Sequence, residues 1–135
     1  MKNLLLLLFI LPIFSVLAQE KEVLTKLDAK ADFYGDLARQ IWSNPELGYL
    51  ETNSSKLLQK TLSDAGFKVT AGVAGIPTAF VAEYGSGKPV IGIMAEFDAL
   101  PGVSQEAVPI RKPVVVGGAG HACGHHLFGA ASVAA

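Results

Sequence analysis

The sequence contains one cysteine, so it can close no disulfide within itself. A haem-attachment motif needs a second cysteine ahead of Cys123, and there is none. Charge is nearly balanced, with 11 Lys+Arg against 12 Asp+Glu and a formal net charge of −1. No basic cluster stands out, which argues against nucleic acid or an anionic membrane surface as a partner. Internal repeats and low-complexity tracts are missing too. Gly85-Ser86-Gly87-Lys88 lacks the longer glycine spacing and the following Ser or Thr of a phosphate-binding loop. It reads as a turn.

Long apolar runs are scarce except at the start. Met1-Lys2-Asn3 is followed by Leu4 to Leu17, apolar but for Pro12 and Ser15, and then by small residues around Ala18. A basic start, a short apolar core and small residues at −3 and −1 describe a secretory signal peptide over residues 1–18. The alternative is an uncleaved anchor, but the run is short for a span and has no basic stop-transfer flank. No cysteine follows the cut, which argues against a lipoprotein. The expected location is therefore secreted or periplasmic, with no membrane attachment after cleavage.

Residues 21–42 carry apolar side chains at helical spacing (Leu24, Leu27, Ala31, Tyr34, Ala38, Ile41), which predicts a surface helix with one buried stripe. Asn44-Pro45 ends it, because the residue before proline avoids the helical region. Glu46-Leu47-Gly48 reads as a turn. A second helix is expected from Glu51–Asn53 to Ala65, with Leu57, Leu58, Thr61, Leu62 and Ala65 inward and Gly66 as its stop. Residues 67–70 and 78–84 read as strands, the second forming a hairpin with residues 89–95. Those last residues are apolar on both faces, as in a central strand covered on each side. The run Leu127 to Ala135 reads as a helix that is apolar or small all round, which belongs inside a larger body. Two helices and three strands cannot bury both, so the expectation is the N-terminal part of a longer protein.

All three histidines and the cysteine fall between His121 and His126, behind the glycine-rich run Gly117-Gly118-Ala119-Gly120. Thiolate and neutral imidazole are natural ligands for zinc and similar metals. Cys123 and His125 would point to opposite faces of a helix but the same way from a turn, which Gly124 permits. A helix start there would favour the thiolate. The bland alternative is a buried cysteine beside solvated histidines; the density of ligands favours a metal site. An exported lone thiol also needs protection from oxidation. Zinc takes three or four protein ligands, so others must come from elsewhere. Glu96 and Asp98 alternate from the end of the expected central strand and can face this loop. Such carboxylates ligate metal or orient a ligand, or form a solvated acidic turn.

Asn44-Pro45-Glu46-Leu47-Gly48, the run from Glu96 to Pro101 and Gly120-His121-Ala122-Cys123-Gly124-His125 resemble, in order and spacing, successive motifs of the M20 metallopeptidases. The fit is to their amidohydrolase branch and covers about Leu37 to Ala135. The resemblance implies a zinc-peptidase-like α/β/α catalytic domain, with residues 19–135 its N-terminal portion, interrupted further on by a dimerisation domain. It implies two divalent metal ions, zinc or manganese, with Cys123 and His125 as ligands and Asp98 orienting metal ligation. Many members carry a ligand histidine where Glu96 stands, and His126 often gives way to aspartate, so neither receives a role. The general-base glutamate and the remaining ligands are expected beyond Ala135. The implied reaction is hydrolysis of an amide joining an acyl or aryl group to an amino acid, of the aminobenzoyl-glutamate or N-acyl amino acid type, by a metal-activated water. The substrate would be small and dipeptide-like, and the complete protein a homodimer or hetero-oligomer. Two alternatives remain: a hydrolase with Cys123 as nucleophile, and an exported binding protein that keeps the fold without catalysis.

Overall fold

The computed structural model describes residues 20–135, and the expected signal segment, residues 1–18, lies outside the described residues. The chain divides into two units between Phe33 and Tyr34. In the first, residues 20–28 are helical. A Lys26–Glu22 ion pair (2.7 Å) and a Thr25 hydroxyl donating to the Lys21 carbonyl (2.8 Å) decorate one exposed turn. Leu24 and Leu27 are exposed here, so the buried stripe expected from Leu24 onward begins only further along. The expected single helix over residues 21–42 is also interrupted. At residues 29–30 the ladder tightens to an i−3 bond from the Lys30 N–H to the Leu27 carbonyl (3.0 Å).

Helix α1, Ala31–Ser43, buries Leu37, Ala38 and Ile41. Helix α2, Thr52–Asp64, buries Ser54, Ser55 and Leu58. It ends as Gly66 predicts. Gly66 sits at φ 91, its N–H bonds the Ser63 carbonyl (3.0 Å), and the Phe67 N–H bonds the Leu62 carbonyl (3.0 Å), which is a Schellman ending. Ala65, expected inward, is exposed within that ending. Strand β1, Lys68–Ala71, pairs antiparallel with β2, Phe80–Glu83, in the register Lys68↔Glu83 to Ala71↔Phe80. A short 3₁₀ turn, Val73–Gly75, links them. Helix α3, His125–Ala134, follows Gly124, whose φ of 83 supplies the left-handed corner that a side chain would strain.

The core of the second unit joins Leu37, Ala38 and Ile41 from α1, Leu58 from α2 and Ala130 from α3, with Phe80 and Phe97 against it. Each fully buried Leu or Ile there contributes about 1.5–3 kcal/mol. Gly129 lets α3 approach, since a Cβ at that position would lie 3.1 Å from the Glu96 carbonyl oxygen. The mixture of helix and strand is that of the N-terminal part of an α/β domain.

One expectation is overturned. Residues 89–95 form no strand, and β2 takes β1 rather than this segment as its partner. Val90 is 86% and Ile91 83% exposed. A strand apolar on both faces needs cover on both faces, and the described residues supply neither. The segment is tied to α3 through the Ser132 hydroxyl, which donates to the Met94 carbonyl (2.7 Å).

Candidate metal centre

The site is built where three stretches meet: the turn after α1, the run through Asp98, and the loop leading into α3. Ala99 is nearly fully buried, and its N–H donates to the Glu46 carbonyl (2.7 Å), with a parallel bridge between Leu47 and Ala99. On its other side the run is pinned by reciprocal bonds, Leu100 N–H to the Gly120 carbonyl (2.9 Å) and Gly120 N–H to the Leu100 carbonyl (3.0 Å). Gly120 is required there, because a Cβ would stand 2.4 Å from the Val103 carbonyl oxygen. The histidine loop thereby lies directly beside Asp98.

His125 occupies the first turn of α3 with a carboxylate at each ring nitrogen. Asp98 Oδ1 stands 2.7 Å from Nδ1, and Glu96 Oε2 stands 2.8 Å from Nε2. One ligand atom from each of Glu96, Asp98 and His125 lies within 4.8 Å of the others. An ionised carboxylate only accepts hydrogen bonds, and a neutral imidazole carries one N–H. With Nδ1–H donated to Asp98, the Nε2 lone pair therefore faces another acceptor. A proton or a cation relieves that opposition, so this donor set fits a divalent metal ion. An imidazole held by an aspartate on its far nitrogen is the arrangement that orients metal-ligating histidines elsewhere.

The other sequence candidates fall as follows. Asp98 and His125 come together, and Glu96, expected to face this loop but left without a role by the family resemblance, joins them. Cys123 is exposed in the turn before α3 and lies outside the group of three. His121, 8% exposed, reaches back across the core, and its Nε2–H donates to the Ile41 carbonyl at the end of α1 (3.2 Å). Its ring packs on His126 with centroids 5.1 Å apart, and the Nδ1 atoms of both are buried without a hydrogen-bond partner. Burial lowers His121 below the usual imidazole value of 6.5, and the Ile41 carbonyl and the Asp98 charge restore only part of it. His126 is lowered by burial and then by the charge of His121. Both are neutral near pH 7.

Sequence reasoning missed two carboxylates. Glu46, read as part of a turn, accepts from the Asn53 N–H (2.9 Å), the Ser54 N–H (2.8 Å), the Ser54 hydroxyl (2.8 Å) and the Asn53 amide (2.9 Å). It thus caps α2 from outside the helix, where free N–H groups and the dipole favour a negative charge. Burial pushes its carboxyl up, but these bonds outweigh it and hold the group below the usual carboxylate value of 4.5. Glu51 is buried and accepts from the Thr78 hydroxyl (2.7 Å). The signal that could have found Glu46 is an acid shortly before Asn53-Ser54 at a helix start.

The fold is that of part of an α/β domain, and its one cluster of ligand atoms among the described residues suits a divalent cation. The chain belongs to the M20 family of metallopeptidases and amidohydrolases. It is 46% identical over 110 residues to a component chain of the p-aminobenzoyl-glutamate hydrolase of Escherichia coli, covering 81% of this chain and 23% of that protein. It is 40% identical over 96 residues to thermostable carboxypeptidase 2 of Saccharolobus solfataricus, covering 70% of this chain and 24% of the relative. With the IAA-amino acid hydrolase ILR1-like 2 of Arabidopsis thaliana it shares 37% identity over 108 residues, covering 76% and 24%. The chain thus spans about a quarter of the length of the curated relatives it matches. No family model matches it.

Proposed function

We propose that the complete protein is an exported, metal-dependent amidohydrolase. It cleaves an amide between an acyl or aryl group and an amino acid, in a small dipeptide-like substrate. The observation that carries this reading is His125 with a carboxylate at each ring nitrogen. Relatives named as amidohydrolases and peptidases support it. Two divalent ions, zinc or manganese, would be held in part by His125 and Cys123, with Glu96 as a further oxygen donor. When bound, such ions lower the pKa of water and polarise an amide carbonyl. Asp98 holds the Nδ1–H of His125, which fixes the tautomer and aims Nε2 at the ion site. The Escherichia coli relative is named as one component of its enzyme, which favours assembly as a hetero-oligomer, with a homodimer as the alternative.

A cysteine-nucleophile mechanism finds less support. No histidine ring is hydrogen-bonded to Cys123 among the described residues: His125 is engaged by Glu96 and Asp98, and His121 by Ile41. A non-catalytic binding protein would hold the metal yet hydrolyse nothing, so a panel of N-acyl and N-aroyl amino acids separates it from the enzyme. Elemental analysis of the purified complete protein tests the site. His125→Ala and Cys123→Ser should each empty it, and Asp98→Asn should weaken metal affinity by about 10–100-fold. Full occupancy in both His125→Ala and Cys123→Ser would remove the basis of the reading. Export predicts that the mature protein starts within a residue or two of Gln19, and a cytoplasmic product retaining Met1 would contradict that part.

A further inference from the structure

The turn between α1 and α2 does more than change the direction of the chain. Glu46 is fixed at two points. Its carboxylate is locked onto the α2 N-terminus by the N–H groups of Asn53 and Ser54 and by both of their side chains. Its carbonyl accepts the N–H of Ala99, the residue that follows Asp98 (2.7 Å). Two residues on, Gly48 lies against Asp98: a Cβ there would sit 3.9 Å from Asp98 Oδ2 and 3.9 Å from Glu51 Oε1. Helix α2 is itself anchored, since Leu58 is fully buried in the core beside Leu37 and Ile41. A rigid path therefore runs from the helix, through one carboxylate and one peptide, to the aspartate that holds His125.

We propose that Glu46 is a positioning residue for the metal centre, setting where Asp98 meets the Nδ1–H of His125. The inference rests on the metal-site reading above, but it concerns geometry that exists without the ion. Capping α2 alone would not need a carboxylate reaching from a residue whose main-chain carbonyl is bonded to Ala99. An ordinary N-cap group such as Ser or Asp at the helix boundary would serve that end. Here the boundary residue, Glu51, makes no such cap, and its carboxylate goes to Thr78 instead. The cap is thus supplied by the residue that also touches the site run.

Glu46→Gln preserves size but turns one acceptor oxygen into a donor facing N–H groups. The test compares it with Ser55→Ala, which also loosens α2 but lies off the path to Asp98. In the complete metal-free protein, the His125 ring N–H resonance hydrogen-bonded to Asp98 should shift in Glu46→Gln and stay in place in Ser55→Ala. In the metal-loaded protein, a competing chelator should show Glu46→Gln weakening metal affinity on the order of tenfold, the low end for an indirect partner. Ser55→Ala should leave the affinity unchanged at a similar loss of thermal stability. Should Glu46→Gln fail to fold, Glu46→Asp carries the same comparison. It keeps the charge for the helix on a shorter side chain, so it should restore stability more than metal affinity. An unmoved His125 resonance in a folded Glu46 variant, or equal shifts in Ser55→Ala, would overturn the proposal. If the wild type binds no metal, the functional reading fails while the resonance still decides this one.

Discussion

At the residue scale, two glycines make opposite predictions. Gly120 is boxed by backbone, with a Cβ placed 2.4 Å from the Val103 carbonyl oxygen and 2.8 Å from its carbon. Backbone cannot swing away as a side-chain tip can, and moving Gly120 strains both of its bonds to Leu100. Gly120→Ala should therefore cost about 1–3 kcal/mol, as overpacking does, and should weaken metal retention as well. Gly35 lies inside α1 with nothing within 4 Å of its Cβ position. Gly35→Ala should raise stability by about 0.5–1 kcal/mol and leave metal content alone. Denaturant titration of the complete protein checks both signs, and a neutral Gly120→Ala would mean the loop is looser than this packing allows. The site residues were legible unevenly. His125 and Asp98 stood out by chemistry and by family motif. That Glu96 and Asp98 could face the histidine loop was also expected, but which ring nitrogen of His125 each one takes depends on a loop closing back on a distant run. Glu46 stood inside a family motif, but its capping role was not legible, because its partners Asn53 and Ser54 lie 7 and 8 residues on, across a turn.

At the element scale, the helices were readable because their signals are local. The periodic Leu57 and Leu58 and the stop at Gly66 mark α2, and the Schellman bonds show that stop at work. Residues 89–95 form no strand because an apolar run shows only that a strand would need cover, and the described residues do not supply it. The ties between elements carry a pH prediction. His121, bonded to the end of α1, and His126 both sit below 6.5 in the folded state. The unfolded chain then takes up their protons first, so stability is full above about pH 6.5 and falls as the pH drops below it. Glu46, below its ordinary 4.5 when folded, has the usual carboxylate sign. Its contribution is present above about pH 4.5 and is lost as the pH falls through the folded value. Thermal unfolding of the metal-free complete protein should therefore decline in two acid steps, and Glu46→Gln should diminish the lower one and leave the upper one in place. A flat profile between about pH 7 and pH 5 would show that the two histidines protonate freely in the fold.

At the scale of the whole molecule, the chain spans about a quarter of its relatives' length, and its surface has a matching character. Val90, Ile91, Ile93 and Met94 on one stretch, Val114 to Val116 on another, and Leu127 on α3 are all exposed. Exposed apolar side chains in such number are covered in a stable soluble protein or else drive association. Residues 19–135 expressed alone should therefore self-associate in a concentration-dependent way, which sedimentation would reveal. The sharper test reverses sign between two contexts. Ile91 is 83% exposed here, so Ile91→Lys should improve the solubility of the isolated piece without lowering its stability. In the complete protein, where this apolar stretch is expected to be covered, the same lysine would be an unpaired buried charge and should cost several kcal/mol. Ile91→Lys that is harmless in both contexts would identify residues 89–95 as a true surface of the complete protein as well.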